Sequence, residues 1–285
     1  MSGLKSYLAH WQPDPVVEHD DMSARESARF AALLDLPAAP TPLPPLWHWF
    51  HFLDWPAQRE LGADGHPSNR GFLPPIPDRR RMFAGGRLQI TQPLDIGQPA
   101  ERISRVSKVT VKQGKSGELA FVTIRTDYTQ AGTPRLTEEQ DLVYRSGPGT
   151  RRRFPTTTPA PQPSTAPWQS EPDLSPTLLF RFSALTANAH RIHYDEPYAR
   201  ETEGYPALVV HGPLLILLLL ELVRKHKPHR RIQSLTYRLQ HPVFLCNQLL
   251  LSGNMTGPDS ASLTACATGD AHNAVADIQF APHHP

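Results

Sequence analysis

The sequence predicts an α+β fold in which an antiparallel sheet wraps around two long buried helices, and three observations carry that expectation. Leu214 to Leu220 reads LLILLLL, seven apolar residues in a row with no polar face. A helix that is hydrophobic all round is either a membrane span or fully buried, and the run is far short of the roughly 20 residues that cross a bilayer. Strand-like alternation broken by short turns recurs over residues 101–145 and again over 231–282, as in antiparallel sheets with one wet face. The order of elements in the first half returns in the second, which points to a duplicated module whose halves share one long sheet.

Taken in order, residues 23–36 (SARESARFAALLDL) open with Ser23 and, three residues on, Glu26; this capping-box pattern predicts a helix start. After the proline-rich PAAPTPLPP, the run Leu46 to Leu53 (LWHWFHFL) predicts the second buried helix. Pro45 sits at or near its first position, where the missing N–H is harmless. His48 and His51, at helical spacing among tryptophans, read as packing residues. The segment PDRRRMFAGGRL, residues 77–88, sets Arg79, Arg80, Arg81 and Arg87 around Gly85 and Gly86 and leads into a strand. Glycines let a backbone come close to a ligand and arginines match phosphates, although a solvated turn explains the pattern equally well.

Three strand signals follow, ERISRVSKVTVKQ, ELAFVTIRTDYTQ and RLTEEQDLVYR, separated by GKSG and AGTP. Residues 146–170 are dominated by Pro, Thr and Ser and predict an extended surface linker between a half at 1–145 and a half at 171–285. In the second half, Phe180 to Tyr198 takes the place of the first helix and His211 to Lys225 that of the aromatic run. Four more strand signals close the chain: RIQSLTYRLQHPV, CNQLLLSGNMTG, SLTACATG and HNAVADIQFAP.

Bulk properties narrow the classes of function. A net charge of +2 over 285 residues gives no general attraction to nucleic acid. Two cysteines, Cys246 and Cys266, lack metal-ligand spacing and suit a reduced, cytoplasmic compartment. The N-terminal MSGLKSYLAHWQPDP has no apolar stretch of a secretory signal, and no membrane segment is expected.

The chemistry concentrates in FRFSALTANAHRIHYD and the following GYPALVVHGPLL. His190 and His193 share a face at helical spacing, as do Asn188, Arg191 and, less closely, Asp195. A His-x-x-His pair can bind zinc, but a third ligand from another element is missing from the sequence pattern, and no metal is expected. The first N–H groups of a helix opening at His211-Gly212-Pro213 need partners. Either a side chain or water caps them, or they receive an enolate-like oxygen with help from the helix dipole.

These two segments, with PDRRRMFAGGRL, resemble the MaoC-like hydratases and dehydratases, the double hot-dog relatives of R-specific enoyl-CoA hydratases. The resemblance is to the subgroup of mesaconyl-CoA and itaconyl-CoA hydratases and mitochondrial-type 3-hydroxyacyl dehydratases, and it covers the chain from about residue 20. It implies hydration of an enoyl-CoA with no cofactor beyond the CoA of the substrate, and a homodimer. The final His of the family motif falls on His193, implying a catalytic base; the family Asp falls on Asn188, whose amide can position water but cannot take its proton. Asp195 is either an orienting carboxylate or a surface turn residue. Gly212, with His211 beside it, would hold the thioester oxygen. His190 and Arg191 would bring positive charge to the carboxylate of a branched C5 dicarboxylate, and Arg79, Arg80, Arg81 and Arg87 with Gly85 and Gly86 would bind CoA phosphates. Dehydration of 3-hydroxyacyl thioesters in fatty-acid metabolism is the alternative reaction, and a non-catalytic acyl-CoA binding module the alternative class.

Overall fold

A computed structural model describes residues 3–68, 72–114, 117–147, 154, 159–269 and 271–282. The first half contains α1 (Leu4–Leu8), β1 (Val16–Asp20), α2 (Ala24–Leu33), β2 (Arg80–Ile90), β3 (Ala100–Gly114), β4 (Gly117–Gln130) and β5 (Thr133–Arg145). The second contains β6 (Trp168–Ser170), α3 (Pro176–Leu185), α4 (Gly212–His226), β7 (Ile232–Leu239), β8 (Leu250–Gly257), β9 (Ser260–Thr268) and β10 (Ala271–Phe280). These strands form one sheet in the order β1-β3-β4-β5-β2-β7-β10-β9-β8-β6. Counted outward from the middle, the two halves have the same order, so β1 and β6 are equivalent edges.

The halves are joined where β2 pairs antiparallel with β7, Gly86 opposite Tyr237. The strands approach closely there: a Cβ on Gly85, whose φ is +152°, would lie 2.3 Å from the Tyr237 carbonyl oxygen. A side chain would force the halves apart, so the glycine is a packing requirement.

The fold is the expected double hot-dog, with one difference inside it. Helix α4 is buried on nearly every side, from Leu214 through Leu217 and again at Leu219, Leu220, Leu222 and Val223. The run expected to be its counterpart, residues 46–53, forms only a four-residue 3-10 turn, Trp47–Phe50, bounded by Leu46 and Phe52 in left-handed conformation. Those two residues confine the run to one turn, and its two faces bond to different partners. Trp47 and Phe50 pack against Phe30 of α2, with ring centroids 4.5 and 3.8 Å away. His48 and Trp49 instead donate to the buried carboxylate of Glu138 on β5, at 3.0 and 2.8 Å. Tyr128 and Gln140 also donate to that carboxylate, at 3.2 and 2.9 Å, so a charge that would be costly to bury alone is fully hydrogen-bonded. The sheet therefore wraps one long helix and one knot of rings.

Two smaller expectations also change. Ser23 caps α2 by accepting from the Arg25 N–H, but Glu26 turns outward to Arg29, so the reciprocal half of the capping box does not form. The segment expected to be a linker ends in a strand, since Trp168–Ser170 pairs with β8. Residues 148–153 and 155–158 of it lie outside the described residues.

Candidate active site

The site is built where α3 ends and α4 begins. Ser175 accepts from the Leu178 N–H to start α3. The chain leaves α3 through Ala187, in left-handed conformation, and the Asn188 side chain then accepts from the His190 N–H at 3.0 Å. That local bond competes with helix continuation, so Arg191–His193 form a 3-10 turn with His190 as its N-cap, rather than one face of a longer helix. The turn lays two imidazoles in series with a third, His211 at the start of α4. The His190 and His193 rings meet edge to face at 5.4 Å, and His193 stacks on His211 at 3.7 Å and 18°.

Each ring is held in a defined way. His193 is buried, and its Nδ1 donates to the Val209 carbonyl at 2.7 Å, which leaves the lone pair on Nε2. Burial pushes its pKa down to about 3, a fall assisted by His190 and His66, so the ring is neutral at ordinary pH. His211 is also buried, with Nε2 bonded to the Ser183 hydroxyl at 2.8 Å; burial, then the neighbouring His193, holds its pKa well below the usual value. His211 is the N-cap of α4 but makes no side-chain capping bond. Leu215 N–H donates to the His211 carbonyl at 3.2 Å, so the Gly212 and Leu214 N–H groups precede the first full helical turn. Pro213 has no N–H to offer. Leu239 of β7 packs on Gly212, where a Cβ would meet its Cδ1 at 2.4 Å.

A turn of the first half completes the cluster. Arg191 N–H donates to the Asp64 carbonyl at 2.9 Å and its guanidinium to the Ala63 carbonyl at 3.0 Å. Asp64 Oδ2 lies 2.9 Å from His66 Nδ1, and the His66 ring packs on His190 at 3.9 Å. Burial disfavours the Asp64 charge, but the hydrogen bonds from His66 outweigh it and hold the carboxyl below the usual range. Asp64, His66 and His190 each bring one potential ligand atom to within 4.8 Å of the others, a grouping of metal-binding side-chain types not repeated among the described residues. As built, however, the carboxylate bonds the ring.

The residues anticipated from sequence divide into two groups. Asn188, His190, His193, His211 and Gly212 come together at the head of α4, and Arg81 lies close enough to His66 and His190 to lower the pKa of both. Arg191 and Asp195 instead satisfy one another, at 2.9 Å from Nε, with the guanidinium 4.0 Å over the Tyr198 ring. The Tyr198 N–H, then Arg191, keep the Asp195 carboxyl below its ordinary pKa. With its guanidinium so engaged, Arg191 ties the turn at residues 63–64 of the first half to the 3-10 turn of the second, and Asp195 is the partner that holds it. Arg79 donates to the carbonyls of Pro74 and Ser68 at 2.9 Å. Arg80 pairs with Glu203 at 3.3 Å. Arg87 lies on the sheet between Glu139 and Asp141, each 2.8 Å away. Gly85 and Gly86 serve the β2–β7 contact.

Sequence reasoning missed Asp64, His66 and Ser183. The only signal for the first two was a polar ADGHP turn with no periodicity, and Ser183 looks like an ordinary helix residue.

The architecture is that of the MaoC-like dehydratases. A MaoC-like dehydratase of Phytophthora capsici superposes with a TM-score of 0.69 at 14% identity, covering 99% of this chain and 100% of that one. HtdX of Mycobacterium tuberculosis gives 0.64 at 13%, covering 94% and 100%. Within that class, residues 46–245 match the model for hydroxyacyl-thioester dehydratase type 2, and the chain belongs to this family. It is 51% identical over 230 residues, 79% of this chain and 81% of the other, to the mesaconyl-C(4)-CoA hydratase of Chloroflexus aurantiacus. It is 27% identical over 240 residues, 76% and 79%, to the mitochondrial hydroxyacyl-thioester dehydratase type 2 of Schizosaccharomyces pombe. Among the described residues no helix is long and apolar enough to cross a membrane.

Proposed function

We propose that the protein reversibly hydrates an enoyl-CoA thioester, and that the acyl group is a methyl-branched C5 dicarboxylate, mesaconyl-C4-CoA or itaconyl-CoA, giving citramalyl-CoA. The observation that carries the reading is the stack of His193 on His211 at a helix start that no side chain of its N-cap closes. The thioester oxygen lies at the Gly212 and Leu214 N–H groups, where donors and the helix dipole are fixed before charge develops. Polarisation makes Cβ electrophilic. The lone pair on His193 Nε2 receives the water that attacks it, and the Asn188 amide holds that water.

The Chloroflexus relative's name supports the dicarboxylate. Arg81, exposed and near the histidine cluster, is the cation for its free carboxylate, and Arg80 serves the CoA phosphates. Adding water changes no net oxidation state, so no redox cofactor is required, and the helix start takes the part that a metal ion would play. A sequence with only two cysteines, set without metal-ligand spacing, supports a cytoplasmic setting. The open edges β1 and β6, the first with Val17 exposed, support a homodimer, which sedimentation tests.

Loss of enoyl absorbance on a panel of unsaturated CoA esters, with wild type beside His193→Ala, tests the reaction. Turnover by wild type and none by the variant is expected. No turnover by either would mark a binding module. A preference for long linear 3-hydroxyacyl thioesters would favour the second reading, dehydration in fatty-acid metabolism, for which the Schizosaccharomyces relative speaks.

A further inference from the structure

His193 alone is a poor base. Protonated, it would sit buried, stacked on His211 and facing His190, with both neighbours themselves held below the usual imidazole pKa by burial. A general base works when its conjugate acid is stabilised where it forms. In the histidine series, the ring bonded to a carboxylate is His66, through Asp64 at 2.9 Å. Its turn is docked with care on the catalytic segment: two hydrogen bonds from Arg191 reach it, and Gly65, at φ +89°, lies so close that a Cβ would stand 1.8 Å from the Ala189 carbonyl oxygen.

Resting on the hydration reading above, we infer that His66, supplied by the other half of the molecule, is the catalytic acid and base, with Asp64 its positioning residue, replacing the carboxylate absent at Asn188. Asp64 takes the Nδ1 proton of His66 and so directs the lone pair to Nε2. In the hydration direction one O–H bond of the water breaks, its proton passing to His66 Nε2 as the oxygen bonds to Cβ. The π pair moves to Cα, making an enolate at the helix start. The His66 imidazolium then gives that same proton to Cα, so the product gains one water and the ring returns to neutral. His193 orients the water throughout. The charged and titratable groups around His66 are Asp64 in its own turn, Arg81 on β2, Glu203 after the Tyr198–Thr202 turn, and His190 and His193.

The test is steady-state hydration by His66→Ala, His66→Gln and Asp64→Asn, each first checked for wild-type thermal unfolding. We expect kcat to fall by about 10²-fold or more in both His66 variants with KM within a few-fold, as for loss of a general acid–base group. Added imidazole should restore part of the rate in His66→Ala but not in His193→Ala. Burial lowers the His66 pKa and the Asp64 carboxylate partly offsets it, so Asp64→Asn should be slower and should move the acidic limb of the rate profile to lower pH. A His66→Gln enzyme within threefold of wild type, or an Asp64→Asn limb that does not move, would overturn the assignment. So would activity lost to a chelator and restored by a divalent cation, which would make Asp64, His66 and His190 ligands. Absence of turnover by wild type on every enoyl thioester would instead remove the hydration reading itself.

Discussion

The Ser183 hydroxyl meets His211 Nε2 at 2.8 Å, and in the other half Ser27 meets His51 Nε2 at 3.3 Å, so the duplicated module has kept one buried serine–histidine bond on each side. Only His211 opens a helix and stacks on a second histidine. The bond fixes its ring plane, and the ring plane supports His193.

Ser183→Ala should therefore act twice. Leaving buried His211 without its partner costs about 1–3 kcal/mol, read as a lower urea midpoint. Tilting the surface on which His193 stacks should reduce kcat by roughly tenfold. Ser27→Ala should lower stability comparably and leave kcat alone. Equal kinetic effects of the two variants would contradict the assignment of one active half.

Acid should unfold the protein in a defined window. His190 and His193 are each pushed down to about 3, first by burial, whereas in the unfolded chain they titrate near the ordinary value of 6.5. The folded-state pKa is depressed, so stability is full above about pH 6.5. It falls as pH drops toward 3, because the unfolded chain binds protons that the folded one refuses. The slope is up to about 1.4 kcal/mol per pH unit for each ring. Urea midpoints at several pH values should show it, with a shallower slope in His190→Gln. An unchanged slope would mean that this ring takes up protons while folded.

Much of this was legible in the sequence because it depends on local pattern. LLILLLL marks the core helix, alternation marks the strands, and His193 and Gly212 follow from a motif. The aromatic run at 46–53 misled because Leu46 and Phe52 take left-handed conformations that limit it to one turn, which an apolar pattern does not announce, and the partner of its polar side, Glu138, lies about ninety residues away. The dyad at Asp64 and His66 was hidden for a similar reason. Nothing in a DGH turn says that it will be docked against residues 189–191, and nothing in the Arg191 side chain says that it will reach the Ala63 carbonyl, about 130 residues back.

That contact separates two accounts of Arg191. If it bound the substrate carboxylate, Arg191→Ala would harm the dicarboxylyl thioester and spare a neutral crotonyl one. Because its guanidinium reaches Asp195 and the Ala63 carbonyl, we expect both substrates to lose kcat by a similar factor, on the order of tenfold or more for a misplaced catalytic turn. Arg81→Ala should show the selective pattern, with KM rising for the dicarboxylate alone. Kinetics on the two thioesters decide it.

The sharpest structural prediction concerns Gly65. Its φ of +89° is disfavoured for any residue with a Cβ, and the added carbon would lie 1.8 Å from the Ala189 carbonyl oxygen, which belongs to backbone and cannot swing aside. Gly65→Ala must therefore lift the turn that carries Asp64 and His66 away from His190. The strain is of order 1–3 kcal/mol, but lifting a surface turn relieves most of it, so thermal unfolding should move by only a few degrees. Catalysis has no such escape, since the dyad moves with the turn, and kcat should fall by roughly the same factor as in His66→Gln. Combining Gly65→Ala with His66→Gln should then add little further loss, as expected for two changes that disable one unit. Multiplying losses in the double variant would show that the turn and the imidazole act separately.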